Sequence, residues 1–237
     1  MWSGPRNIST ALMRSWASRA DTRVIDEPFY AHYLQETGYD HPGAREIIDA
    51  YETDWQRVID HLLANDNGKA IYYQKHMTQH MLQHIDRSWL SKISNCFLIR
   101  DPRRMLLSFA KVIPNPRLDQ TGMPQQVELF NTVKQATGQA PPVIAARDVL
   151  RNPEATLRRL CAALDVDFDR AMLRWRPGKH ASDGIWGEHW YASVERSTGF
   201  APYHEDDTPV PAKMRALLED CQQLYDQMAP YCIRQED

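Results

Sequence analysis

The chain has 237 residues, 43% of them hydrophobic, and carries 28 Lys and Arg against 31 Asp and Glu, for a net charge of −3. The apolar fraction supplies a sizeable core and excludes a disordered chain, and the length suits a single domain with at most a small lid. A near-neutral balance without a long basic run argues against bulk attraction to nucleic acid or an anionic membrane, and no apolar run approaches the roughly 18 residues of a membrane helix.

The first element is a turn, Ser3-Gly4-Pro5-Arg6-Asn7-Ile8-Ser9-Thr10, running straight into a helical pattern over 9–19. A tight loop with a cation and two hydroxyls at a helix start suits an anion, because loop amides and the helix dipole both favour negative charge there. It is not the G-x-x-x-x-G-K-[ST] loop of ATPases, since no Gly-Lys is present. Only Met1 and Trp2 precede the turn, so the strand expected to feed it is either unusually short or missing a few residues.

Short β-type runs follow at 22–26, at 70–75 after a turn at Asn67-Gly68, at 96–100 and at 143–146. Helical spacing is expected over 44–64, 78–90, 102–112, 125–137 and 153–164, with a closing helix at 212–228 and a lid over 176–205. Residues 114–124 and 200–211 are rich in Pro and polar residues and read as loops. Strands alternating with helices predict an α/β fold with a central, mainly parallel sheet flanked by helices. Ligands of such sheets lie beyond the carboxyl ends of the strands, where Arg6, Glu27, Lys75, His76 and Arg100 all fall.

The four cysteines, Cys96, Cys161, Cys221 and Cys232, have neither metal-type nor C-x-x-C spacing. With no signal h-region, they read as reduced and mostly buried thiols of a cytoplasmic protein. His76, His80 and His84 recur every four residues, but no Glu follows the first as in H-E-x-x-H, so a polar helix face is expected and no metal.

Two stretches in order resemble the sulfotransferase family that uses 3′-phosphoadenosine 5′-phosphosulfate (PAPS). Pro5-Arg6-Asn7-Ile8-Ser9-Thr10 is similar to its 5′-phosphosulfate loop, and Phe97-Leu98-Ile99-Arg100-Asp101-Pro102 with Ser108 is similar to its 3′-phosphate motif. Asp148-Val149-Leu150-Arg151-Asn152-Pro153 and the residues after it resemble the stretch beyond the fourth core strand of bacterial members. The resemblance implies a P-loop-type three-layer fold and transfer of a sulfuryl group from PAPS to a hydroxyl or amine of a small-molecule acceptor. PAP would be the product. It implies donor binding by Gly4, Pro5, Arg6, Asn7, Ile8, Ser9, Thr10, Arg100 and Ser108. One departure stands out. Ile8 occupies a position usually held by glycine, so either its backbone is ordinary or the loop is wider.

Loss of the acceptor proton calls for a general base, which contributes roughly 10²–10⁴-fold. Glu27, in Asp26-Glu27-Pro28, and His76, after Lys75, are the two candidates. Glu27 read structurally would cap the following helix. Lys75 would hold the transferring group or acceptor, or be a solvated strand-end lysine. Arg6 would stabilise charge without donating a proton, its pKa being above about 12. Trp186 and Trp190, in an aromatic segment inside the expected lid, are candidates to stack on adenine or to fill the core, and Arg174, Arg176, Lys179 and His180 precede them as substitute lid cations. Phe29, Tyr30, Tyr33, Tyr39 and Tyr51 are expected around the acceptor. Two other readings stay open: an atypical ATP-dependent kinase or hydrolase, and a nucleotide-fold interaction protein without catalysis. Oligomeric state has no signature in the chain.

Overall fold

The computed structural model describes residues 1–64 and 68–233. Five strands form one sheet: β1 (Trp2–Ser3), β2 (Thr22–Asp26), β3 (Ile71–Met77), β4 (Phe97–Ile99) and β5 (Val143–Ala145). Their order is β2-β3-β1-β4-β5 and every pairing is parallel. Two residues suffice for β1 because it is central, with Trp2 opposite His76 on one side and Phe97 on the other.

Side chains alternate across a strand, so a central strand buried on both faces feeds two cores. Trp2, Phe97, Ile99, Val143 and Ala145 point to one face, against α4 (Trp55–Leu63), α6 (Met123–Thr137) and α11 (Arg215–Met228). Met1, Tyr73, Leu98 and Ile144 point to the other, against α1 (Ser9–Ala17), α7 (Ala146–Arg151) and α8 (Pro153–Ala163). The result is three layers, helices on both faces of the sheet. The remaining helices, α2 (Tyr30–Thr37), α3 (Ala44–Ala50), α5 (Pro102–Phe109), α9 (Gly187–Trp190) and α10 (Ala192–Glu195), gather near the strand ends.

Capping chemistry sets several boundaries. Asp101 accepts the Arg104 amide at 3.2 Å with Pro102 in the first turn, which starts α5 directly beyond β4. Asn152 does the same for α8 through the Ala155 amide at 3.1 Å.

The structure corrects the expected helices at several points. The single helix over 44–64 is two, because Tyr51 is extended and Asp54 caps a fresh helix through the Gln56 amide at 2.8 Å. Residues 78–90 form no continuous helix. They hold a 3₁₀ turn at Thr78–His80, and a second begins at Ser88. The Arg87 guanidinium donates to the carbonyls of Met81 (3.1 Å), Leu82 (2.9 Å) and Ile85, satisfying groups that a helix would have paired along its axis. The shared histidine face therefore does not form. Helix α7 lies where none was expected, and α2 is the helix expected after Glu27, but its cap position is Phe29 and no side chain caps it. Asn67 of the predicted Asn67-Gly68 turn lies outside the described residues. Among the described residues none of the four cysteines is in a disulfide; Cys96, Cys161 and Cys221 are buried and Cys232 is half-buried.

Candidate functional site

A cavity of about 330 Å³ opens beyond the carboxyl ends of the strands. One end of it is the turn Pro5–Thr10. Ile8 caps α1 with φ 61° and ψ 16° and no side-chain hydrogen bond, so the first amides of the helix are left without a protein cap. Arg6 also has positive φ, 62°. The expected alternative of an ordinary backbone at Ile8 is thus overturned: a β-branched residue sits where glycine would be unstrained, at about 1–2 kcal/mol. Gly4 does not line the cavity. A Cβ there would meet the Thr121 carbonyl oxygen at 2.6 Å, so this glycine serves close packing under the turn.

Arg6 reaches from the turn to α5, its Nε donating to Ser108 Oγ at 3.1 Å. Arg100, from the end of β4, donates back to the Arg6 carbonyl. The turn, Arg100 and Ser108 therefore share one corner of the cavity. Neither Arg6 nor Arg100 pairs with a carboxylate among the described residues. Burial depresses the pKa of both, and for Arg100 the charges of Arg104 and Arg6 add to it. This corner carries positive charge that the protein leaves unneutralised.

The opposite end is built on β2 and β3. Glu27 follows β2 with φ 40°, another non-glycine residue in left-handed backbone. Its carboxylate accepts from Lys75, as does that of Asp26, at 2.8 Å. Tyr191, at the junction of α9 and α10, places its hydroxyl 2.9 Å from Lys75 Nζ and 2.7 Å from Asp26 Oδ2. Burial raises the Glu27 pKa; Asp26 adds to this and Lys75 opposes it. Burial works against the Lys75 ammonium, but the two carboxylates outweigh it and its pKa rises.

Between the two ends stand Tyr30, Tyr33, His41, His80 and Trp190. His80 stacks on Tyr30 with ring centroids 4.7 Å apart, and burial holds it neutral, with its pKa well below 6.5. The Tyr30 hydroxyl meets His41 Nδ1 at 2.9 Å.

Of the residues expected from sequence, Pro5 through Thr10, Glu27, Lys75, Arg100, Ser108 and Trp190 line this cavity; Gly4, His76 and Trp186 do not. His76 needs correction as a base. β3 continues through Met77, so His76 and Lys75 point to opposite faces of the sheet. His76 is 2% exposed, stacked on Trp2 at 4.2 Å and held by Gln74 at 3.1 Å. Trp186 is also 2% exposed, edge-on to Tyr30 and bonded through Nε1 to the Tyr191 hydroxyl at 3.1 Å, so it offers no face to a nucleotide. Phe29 packs against Trp89, and Tyr39 and Tyr51 lie outside the lining. Arg174, Arg176, Lys179 and His180 line a separate groove beside β2. Sequence reading missed Asp26 and Tyr191; adjacency to Glu27 was a signal for the first, whereas the second lies 116 positions from Lys75. One buried ion pair joins the expected lid to the donor helix: Arg14, fully buried on α1, meets Asp183 Oδ2 at 2.6 Å. Among the described residues no three His, Cys, Asp or Glu gather as metal ligands, and no helix is long and apolar enough to cross a membrane.

The fold is a parallel sheet between two helical layers, with a cavity beyond the strand ends that lies between the turn before the first helix and a carboxylate after the second strand. The chain belongs to the Sulfotransferase domain family, which matches it over residues 1–231. Among curated proteins it is similar to branched-chain-amino-acid aminotransferase-like protein 1 of Arabidopsis thaliana, 37% identical over 224 residues, and to the like-named protein 2, 35% identical. Each match covers 94% of this chain but 40% of the relative, so the chain spans less than half the length of the curated relatives it matches. Among solved structures it is similar in fold to the sulfotransferase domain of the Synechococcus PCC 7002 olefin synthase, with 18% identity, a TM-score of 0.61, and 96% and 92% of the two chains covered. The sulfotransferase domain from the curacin biosynthetic pathway aligns with 13% identity and a TM-score of 0.52, over 96% and 95%.

Proposed function

We propose that this sulfotransferase-family chain transfers a sulfuryl group from PAPS to a hydroxyl or amine of a small-molecule acceptor. The observation that carries the reading is the pair of guanidiniums, Arg6 and Arg100, without a carboxylate partner at one end of a cavity whose other end holds a buried carboxylate of raised pKa. The donor set fits a molecule with two anionic groups. The α1 amides with Arg6 would take a phosphosulfate, and Arg100 with Ser108 a 3′-phosphate, through planar charge-assisted contacts. When bound, PAPS supplies an activated sulfur whose bond to the phosphate oxygen breaks as the bond to the acceptor forms. Glu27 takes the acceptor's proton, and burial, by raising its pKa, makes its carboxylate a stronger base. Arg6 stabilises the charge left on the phosphate side without giving up a proton. Tyr30, Tyr33, His80 and Trp190 form an apolar wall suited to a small acceptor.

The test is a comparison of PAP with ADP, which lacks the 3′-phosphate. PAP is expected to bind roughly 10–100-fold more tightly, the value of a charge-assisted contact, and to raise Tm further. Arg100→Ala is expected to remove that difference while leaving ADP binding unchanged. Equal affinity for PAP and ADP in the unaltered protein overturns the reading; magnesium-dependent ATP turnover would replace it.

A further inference from the structure

Lys75 has no N–H to spare. An ammonium offers three donors and no acceptor. Those of Lys75 go to Asp26 Oδ1 (2.8 Å), Glu27 Oε1 and the Tyr191 hydroxyl (2.9 Å). Tyr191 is saturated too. A phenol has one proton to give and two lone pairs. Lys75 and the Trp186 indole N–H (3.1 Å) fill the lone pairs. The proton goes to a carboxylate, and Asp26 Oδ2 at 2.7 Å is nearer than Glu27 Oε1 at 3.3 Å. Asp26 Oδ2 also accepts the Gly184 amide at 3.2 Å. Of the four oxygens on these two carboxylates, Glu27 Oε2 alone has no hydrogen bond among the described residues, and Glu27 lines the cavity.

We propose that Tyr191 is a positioning residue for Glu27: it ties Lys75 to Asp26, confines the ammonium to Oε1 of Glu27, and so leaves Oε2 as the proton-accepting atom. Lys75 then acts on Glu27 and not on the transferring group. The catalytic meaning of this rests on the sulfotransferase reading above, but the linkage itself does not. Asp26 and Lys75 come from the sheet, Tyr30 from α2 and Tyr191 from the α9–α10 junction; these are the titratable groups facing Glu27, while the Lys75 charge adds to the burial that keeps His76 and His80 neutral. Removing the Tyr191 hydroxyl takes its proton from Asp26 Oδ2 and frees that oxygen to draw Lys75 away from Glu27. Loss of the ammonium favours protonated Glu27.

The experiment is an infrared pH titration of the full chain without nucleotide, isolating the Glu27 carboxylic C=O band by difference against Glu27→Gln. In Tyr191→Phe the midpoint is expected to rise by roughly one pH unit. In Trp186→Phe, which keeps the hydroxyl, it is expected to stay. A folded Tyr191→Phe, with unaltered circular dichroism, whose midpoint does not move overturns the proposal, as does an equal shift in Trp186→Phe. If Tyr191→Phe does not fold, 3-fluorotyrosine at position 191 tests the same point. Its more acidic hydroxyl donates more strongly and should lower the midpoint, and an unmoved midpoint overturns the proposal. PAP plays no part in this titration, so its outcome is independent of whether PAP binds.

Discussion

The two ends of the cavity are built on opposite rules. At the turn the cations are under-paired: Arg6 reaches a neutral hydroxyl and Arg100 a carbonyl, and neither meets a carboxylate. At the strand ends nothing cationic is under-paired, since Lys75 sits between two carboxylates and a phenol. An end that lacks counter-charges gains affinity when an anion arrives. An end whose hydrogen bonds are already complete keeps its geometry and loses none of it to reorganisation. On the proposed reading, recognition is encoded as missing partners and proton transfer as fixed ones.

The sharpest way to break that contrast is at Glu27. Glu27→Gln retains an oxygen for Lys75 but removes the proposed base, and PAP release from PAPS is expected to fall roughly 10²–10⁴-fold. PAP affinity should stay as it was, because the donor end is built elsewhere. A fall of less than about tenfold would move the base to another group.

A second measurement sharpens the strand-end half through pH. Burial holds His76 and His80 neutral, with pKa values well below 6.5. Below pH 6.5 the unfolded chain binds these protons while the folded chain does not. Their contribution is therefore fully present above pH 6.5 and is lost as pH falls. The slope approaches about 1.4 kcal/mol per pH unit for each histidine only well below pH 6.5, so urea midpoints should report a total loss of about 1.4 kcal/mol per histidine between about pH 7.5 and about 5.5. His76→Phe, which keeps a ring on Trp2, should flatten the slope; an unchanged slope would show that His76 is not held neutral.

The smallest effect is expected at the turn. Ile8→Gly relieves left-handed strain of about 1–2 kcal/mol but loses packing against the core and adds freedom to the unfolded chain. The stability change should stay within about 1 kcal/mol by chemical denaturation, well short of the 2–5 kcal/mol of an ordinary large core truncation. A larger loss would show that the Ile8 side chain shapes the donor end by contact.

The donor end was legible in the sequence because its parts are local signals: a turn feeding a helix, and a strand end followed by Asp101-Pro102. Glu27 was legible for the same reason. The choice between Glu27 and His76 was not, because it turned on where β3 ends; two more strand residues reverse which side chain faces the cavity. The segment 78–90 misled for another reason. Met81, Ile85 and Trp89 are spaced as on a helix and are all buried, but Arg87 pairs the carbonyls that a helix would have used. Tyr191 was beyond reach altogether. It joins a network only when three distant stretches of chain meet, and no spacing records that.

The Arg14–Asp183 pair has a consequence for the order of assembly. Helix α1 follows the Pro5–Thr10 turn, and the carboxylate that neutralises its buried guanidinium lies 169 positions later. A nascent chain that packs this helix early leaves the charge without its partner, a penalty of about 3–5 kcal/mol when a buried pair is broken. Closing so long a loop is also slow relative to local structure. The turn at residues 5–10 thus depends on a carboxylate supplied far along the chain, and a translation product that stops short of residue 183 would leave Arg14 unpaired and that end open to proteolysis.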